Sequence, residues 1–172
     1  MRHLLLALLC AALCACEYTV PLVATPWLPI DRQTIGLWQQ QGDSGAAHRL
    51  LILPLNEREA LVAYPAGEDE TMYARAALWQ GEGMTLVQLH WLGTARGKTP
   101  QNDRIYQFAR YGIEGDTLRI ELLNPDVVAK TSASPAQLTE ALAANRNHPD
   151  LFRTALVFSR LKSDPAGAAN TP

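Results

Sequence analysis

Residues 30–162 predict a mainly β fold: an eight-stranded antiparallel meander that closes into a barrel, with one α-helix before the last strand. Three observations carry this prediction. Short β-type runs recur at regular spacing along the chain. Most links between them are a few residues long and rich in turn formers. Links that short join antiparallel neighbours, because a parallel crossover needs a dozen residues or more. One well-capped helical stretch stands late in the series. An eight-stranded sheet of this size curls, and closing it removes the exposed edges.

The first seven runs are Gln33–Gln41, Arg49–Leu55, Glu59–Pro65, Thr71–Gln80, Met84–Leu92, Arg104–Ile113 and Thr117–Leu123. Gly42-Asp43-Ser44-Gly45 links the first pair and Asn56-Glu57 the second. Gly67 lies between the third and fourth. Gly81-Glu82-Gly83 and Glu114-Gly115-Asp116 make tight turns further on. Alternation supports the strands: Leu118, Ile120 and Leu122 face one way, Arg119 and Glu121 the other. In the fifth run Val87, Leu89 and Trp91 make one face. The opposite face, Leu86, Gln88, His90 and Leu92, is mixed, so this strand is covered on both sides. Ser134-Pro135-Ala136-Gln137 starts a helix. Ser134 caps it, Pro135 suits the first helical position, and Gln137 reaches back in a capping box. Leu138 and Leu142 continue the helix to about Ala144, and Pro149 blocks further extension. Arg153–Leu161 reads as the eighth strand.

The chain is 172 residues long and predicts one domain. Residues 1–15 have the layout of an export signal: Arg2 and His3, then an apolar run from Leu4 to Leu13, then a small residue, Ala15. The run is too short to span a bilayer, which takes about 20 apolar residues. Residues 16–29, with Pro21, Pro26 and Pro29, read as an extended tether. Residues 163–172 are Ala-, Gly-, Pro- and Asn-rich and read as a disordered tail. The formal charge is −2, or −3 once Arg2 leaves with the signal, and the cations are scattered. That balance argues against a nucleic-acid partner.

Leu13-Cys14-Ala15-Cys16 resembles a bacterial lipobox. The resemblance covers residues 1–17. It implies cleavage before Cys16 and acylation of that cysteine with diacylglyceryl and palmitate-like chains, which makes membrane lipid the anchor partner. Two or more chains hold a protein stably, whereas one is marginal. Glu17 in place of Asp implies the outer membrane of the cell envelope, facing the periplasm, over inner-membrane retention. All three cysteines lie at or before Cys16. The mature domain then has no disulfide, cysteine metal site or cysteine nucleophile.

Gly36-Leu37-Trp38, at the start of the first strand and just after the proline-rich entry, is similar to the Gly-x-Trp signature of lipocalins and other calycins. The resemblance implies a closed barrel with a late basic residue packed over the tryptophan. Arg160 is placed for that role, and Arg153 competes for it.

Few constellations point to chemistry. Gly93-Thr94-Ala95-Arg96-Gly97-Lys98-Thr99 imitates a phosphate loop. Its glycine spacing is one residue short and no helix follows, so no nucleotide is expected. It reads instead as a long, mildly basic hairpin loop to Asp103, able to serve as a lip over a barrel mouth. Glu68-Asp69-Glu70 reads as a solvated turn. The histidines share no metal-ligand spacing, and no cofactor is expected. Gln88, His90 and Gln107 are polar residues on apolar strands. With Trp38 they are the candidate ligand-binding residues, since a few polar groups orient a molecule in an apolar cavity.

The sequence therefore supports a membrane-anchored lipoprotein whose barrel binds a small apolar or amphipathic ligand, not an enzyme. The alternative is an accessory lipoprotein with a packed core that binds an envelope protein. A hydrolase or isomerase assembled across strands is the third reading. Interior volume discriminates the first two: a cavity of about 300 Å³ or more, with His90 or Gln107 at its wall, suits a carrier.

Overall fold

The computed structural model describes residues 18–41, 47–100 and 104–161. The export signal, Cys16, the turn at 42–45, residues 101–103 of the long loop and the tail at 163–172 lie outside the described residues.

Eight strands follow in chain order: β1 (Gly36–Gln41), β2 (Ala47–Pro54), β3 (Glu59–Tyr64), β4 (Met72–Gly81), β5 (Met84–Thr94), β6 (Tyr106–Glu114), β7 (Thr117–Leu122) and β8 (Leu156–Arg160). Helix α1 (Pro135–Asn145) stands between β7 and β8. The strands form a closed barrel, each hydrogen-bonded to its sequence neighbours. Every pairing is antiparallel, and closure comes from Trp38 opposite Arg160 and Gln39 opposite Ser159.

Several boundaries differ from the sequence reading, each for a local reason. Residues Arg32–Thr34 form a 3-10 turn where the first strand was expected to begin. The Asp31 carboxylate accepts from the Gln33 N–H at 2.9 Å and caps that turn. The strand starts only at Gly36. At the other end, Arg153 donates its N–H to the Leu122 carbonyl at 2.8 Å, but regular pairing begins at Leu156. The long loop is shorter than expected because β5 runs on to Thr94. A tight turn then folds back: Thr94 N–H reaches the Lys98 carbonyl at 2.8 Å. In α1, Ser134 accepts from the Gln137 N–H, and the Gln137 side chain accepts from Ala133, one residue earlier than a capping box requires.

The barrel has two apolar layers because two of its faces are covered. Inside lie Trp38, Leu50, Ile52, Val62, Trp91 and Phe158 with their neighbours. Outside, α1 brings Leu138 and Leu142 against Trp79, Leu86 and Phe108. This explains the apolar residues on both faces of β4 to β6. Each strand alternates, so Trp79 and Phe108 point out to the helix while Leu78 and Gln107 point in.

Residues 18–23 also join the outer layer, so the extended-tether reading of 16–29 is corrected where the chain is described. Tyr18 is 1% exposed and exchanges backbone hydrogen bonds with Tyr106 at 3.1 and 3.0 Å. Its hydroxyl donates to the Val128 carbonyl at 2.8 Å. Leu22 and Val23 are buried with it. The Gln88 side chain accepts from the N–H groups of Leu22 and Val23 at 2.7 and 3.0 Å and donates to the Val23 carbonyl at 2.9 Å. Proline content signals an extended chain. Extension does not prevent docking when alternate residues are apolar and a buried amide satisfies the backbone.

Candidate functional site

The barrel is sealed at one end by the 3-10 turn and the start of β1. Trp38 is fully buried there and donates its indole N–H to the Thr34 carbonyl at 2.8 Å. The Arg160 guanidinium lies 4.0 Å from the centre of the Trp38 ring. Its two terminal nitrogens donate to the Ile35 and Gln33 carbonyls at 2.9 and 2.5 Å. A guanidinium can stack on a ring and fork to two carbonyls at once, which a lysine cannot. Gly36 has φ +138°. A Cβ there would sit 2.9 Å from an Arg160 nitrogen, so glycine serves both the backbone and the stack. Gly36, Trp38 and Arg160 are thus one structural unit. Arg153 lies outside it.

Above this floor is a cavity of about 120 Å³. Leu50, Val62, Val87, Leu89 and Phe158 are among the residues that wall it, and Ile30, Asp31 and Thr34 reach it from the floor. Its volume falls below the 300 Å³ expected of a carrier pocket. It is close to the engineered apolar cavity of about 150 Å³ that takes benzene or xenon. The interior is neither filled solid nor wide enough to enclose a drug-sized molecule, for which pockets run about 300–1,000 Å³.

The structure separates the four candidate ligand residues. Gln107 lies at the cavity wall, 3% exposed. Trp38 is committed to the floor, beneath Arg160. Gln88 is on the outer face, where its amide holds residues 22 and 23. His90 is also outside, opposite Arg75 on β4 and stacked on Tyr106 with ring centres 5.0 Å apart. The ligand role assigned to Gln88 and His90 is therefore corrected. On β5 the inward positions are Val87, Leu89 and Trp91, so Gln88 and His90 must point outward. Burial and, second, the Arg75 charge hold the His90 pKa below its ordinary value.

Trp91 is the residue that the search for polar strand positions missed. It lines the cavity and is 7% exposed. Its indole Nε1 is buried without a hydrogen-bond partner among the described residues. Nothing in the sequence marks a tryptophan N–H as unpaired. At the floor, the Tyr111 hydroxyl donates to Asp31 at 3.1 Å. Burial and then the Asp31 charge push the phenol well above its ordinary value, so it remains a neutral donor.

Two loops beside the opposite end are tied by ion pairs. Arg96 reaches Asp69 at 2.6 Å and Glu70 at 3.6 Å, and Lys98 reaches Glu70 at 3.6 Å. The acidic run is therefore paired rather than merely solvated. These pairs are exposed and contribute little to stability. They do tie residues 94–98 to the β3–β4 loop, as does the Ala95 N–H on the Thr71 carbonyl at 2.8 Å.

In comparisons with known proteins, no family model, no curated protein and no solved structure matches this chain.

Proposed function

We propose that the protein is an envelope lipoprotein, anchored through acylated Cys16, whose barrel binds a small apolar or amphipathic molecule. The observation that carries the binding half is the apolar cavity of about 120 Å³ at the barrel centre, with Gln107 on its wall. Close-packed interiors hold few voids larger than a water molecule, and an apolar one of this volume can take a small apolar molecule. The volume limits the occupant to a compact solute or the slender end of a longer one. The anchoring half rests on the lipobox-like Leu13-Cys14-Ala15-Cys16.

Mass spectrometry of the mature chain tests the anchor: an acylated Cys16 at the N-terminus is expected, and an unmodified cysteine or cleavage elsewhere removes the assignment. Benzene or xenon, followed by chemical shifts of Val87 and Leu89 methyls, tests the cavity. Saturable shifts are expected, and their absence at millimolar probe removes the ligand reading.

A specific surface favours the accessory reading as a second possibility. Leu53 and Leu55 are 42% and 48% exposed at the end of β2, and Leu61 stands opposite Leu53. This apolar strip is on strands that neither α1 nor residues 18–23 cover, and exposed apolar strips mark contact surfaces.

A further inference from the structure

We propose that a cleft on the outer wall of the barrel binds a compact organic oxyanion, a carboxylate or a phosphate monoester. The proposal is independent of the barrel cavity. The cleft measures about 320 Å³, within the range of small-molecule sites. Met84 and Thr85 at the start of β5, Arg110 on β6 and residues between Arg146 and Phe152 enclose it. Leu138 and Leu142 pack α1 against Leu86 and Phe108, which brings the chain after the helix to these strands. That stretch is fixed by its backbone. The Leu151 N–H donates to the His148 carbonyl at 3.1 Å, and the Leu151 carbonyl accepts from the Asn124 N–H at 2.9 Å.

The charge of the cleft sets the class of ligand. Arg110, Arg146 and His148 line it, and no aspartate or glutamate does. Glu121, outside the lining, takes Arg110 Nε and one terminal nitrogen at 2.5 and 3.0 Å, while the guanidinium lies 4.3 Å over the Phe152 ring. Arg110 is thus held rigid with its charge balanced. The Arg146 guanidinium is exposed, and no ion pair takes it up among the described residues. It is the cation left for a ligand, and its planar fork matches a carboxylate or phosphate. His148 Nδ1 accepts from the Asp150 N–H at 3.1 Å, so the ring proton is on Nε2 and makes that nitrogen a donor. The Thr85 hydroxyl supplies another donor. An ammonium head would find no lining carboxylate. A hydrocarbon would cover the guanidinium without replacing its hydration.

The test uses the full chain in phosphatidylcholine nanodiscs at neutral pH and low salt, with phenyl phosphate, benzoate and phenol as probes. The readout is the backbone amide resonances of Thr85, Arg146 and His148. Both anions are expected to give saturable shifts, half-complete at about 1 mM or below, and phenol none. Arg146→Gln should weaken both anions about tenfold, the size of one hydrogen bond to a charged group. Arg146 also complements the carbonyl end of α1. Arg146→Lys keeps that charge without the planar fork, so it should recover only part of the affinity. A second arm places phosphatidylglycerol in the disc. The same shifts without added probe support the site and assign its oxyanion to a lipid headgroup; unshifted amides there, with phenyl phosphate still binding, assign it to a soluble molecule. No saturable shift by about 10 mM of either anion, an equal response to phenol, or full affinity in Arg146→Gln overturns the proposal.

Discussion

The Arg160 guanidinium stacks 4.0 Å above the Trp38 ring while its terminal nitrogens hold two carbonyls of the segment that closes the barrel. One side chain thus joins β8, β1 and the 3-10 turn. Arg160→Met should cost about 2–3 kcal/mol, the sum of a partly buried cation–π contact and two charge-assisted hydrogen bonds. Urea unfolding measures it. A loss under about 0.5 kcal/mol would show that the floor holds without the stack.

Gly36→Ala should be strongly destabilising alone and less so in the Arg160→Met background. The added Cβ meets the Arg160 nitrogen at 2.9 Å, and that clash disappears with the guanidinium. Backbone strain at φ +138° remains in both. A double-mutant cycle isolates the shared part, and strictly additive losses would show that the two residues are independent.

Gln88→Leu should release residues 18–23 before the barrel unfolds. The substitution strands the N–H groups of Leu22 and Val23, which both donate to this amide. A cost of about 2 kcal/mol or more is expected. Amide exchange at those two residues should accelerate well ahead of exchange in β5. Unchanged protection at both positions would mean the amide is dispensable.

His90 makes stability sensitive to mild acid. Its folded pKa lies below the ordinary value of 6.5, so between the two values the unfolded chain binds more protons. Its stabilising contribution is complete above pH 6.5 and is lost as pH falls through the folded pKa. Tm should therefore decline as pH drops below 6.5, and His90→Gln should flatten that part of the profile. Glu121, whose pKa is lowered by its hydrogen bond to Arg110, acts in the same direction in the carboxylate range. An identical profile for the variant would exclude His90 as the source.

The barrel was legible because its signals are local. Turn residues at 81–83 and 114–116 and the alternation of Leu118, Ile120 and Leu122 each state a strand or a reversal. The site was only partly legible. Gln107 could be found as a polar residue on an apolar strand, but so could Gln88 and His90, and composition does not say which face of a strand looks inward. The inward face of β5 follows from Val87, Leu89 and Trp91, once α1 is known to cover Leu86 and Phe108 from outside. Docking of residues 18–23 left no periodic signal, because it depends on one distant amide, Gln88, and on the pair Tyr18 and Tyr106. The unpartnered, buried indole N–H of Trp91 is a property of its surroundings, not of its residue type.

The docked N-terminal segment changes what an acylated Cys16 would mean mechanically. Two residue steps separate Cys16 from Tyr18, a reach of about 7 Å at full extension. Tyr18 is pinned to the start of β6. A lipid at Cys16 would therefore work as a mooring without slack. The barrel would stay close to the bilayer, with the Tyr18–Tyr106 edge nearest the headgroups.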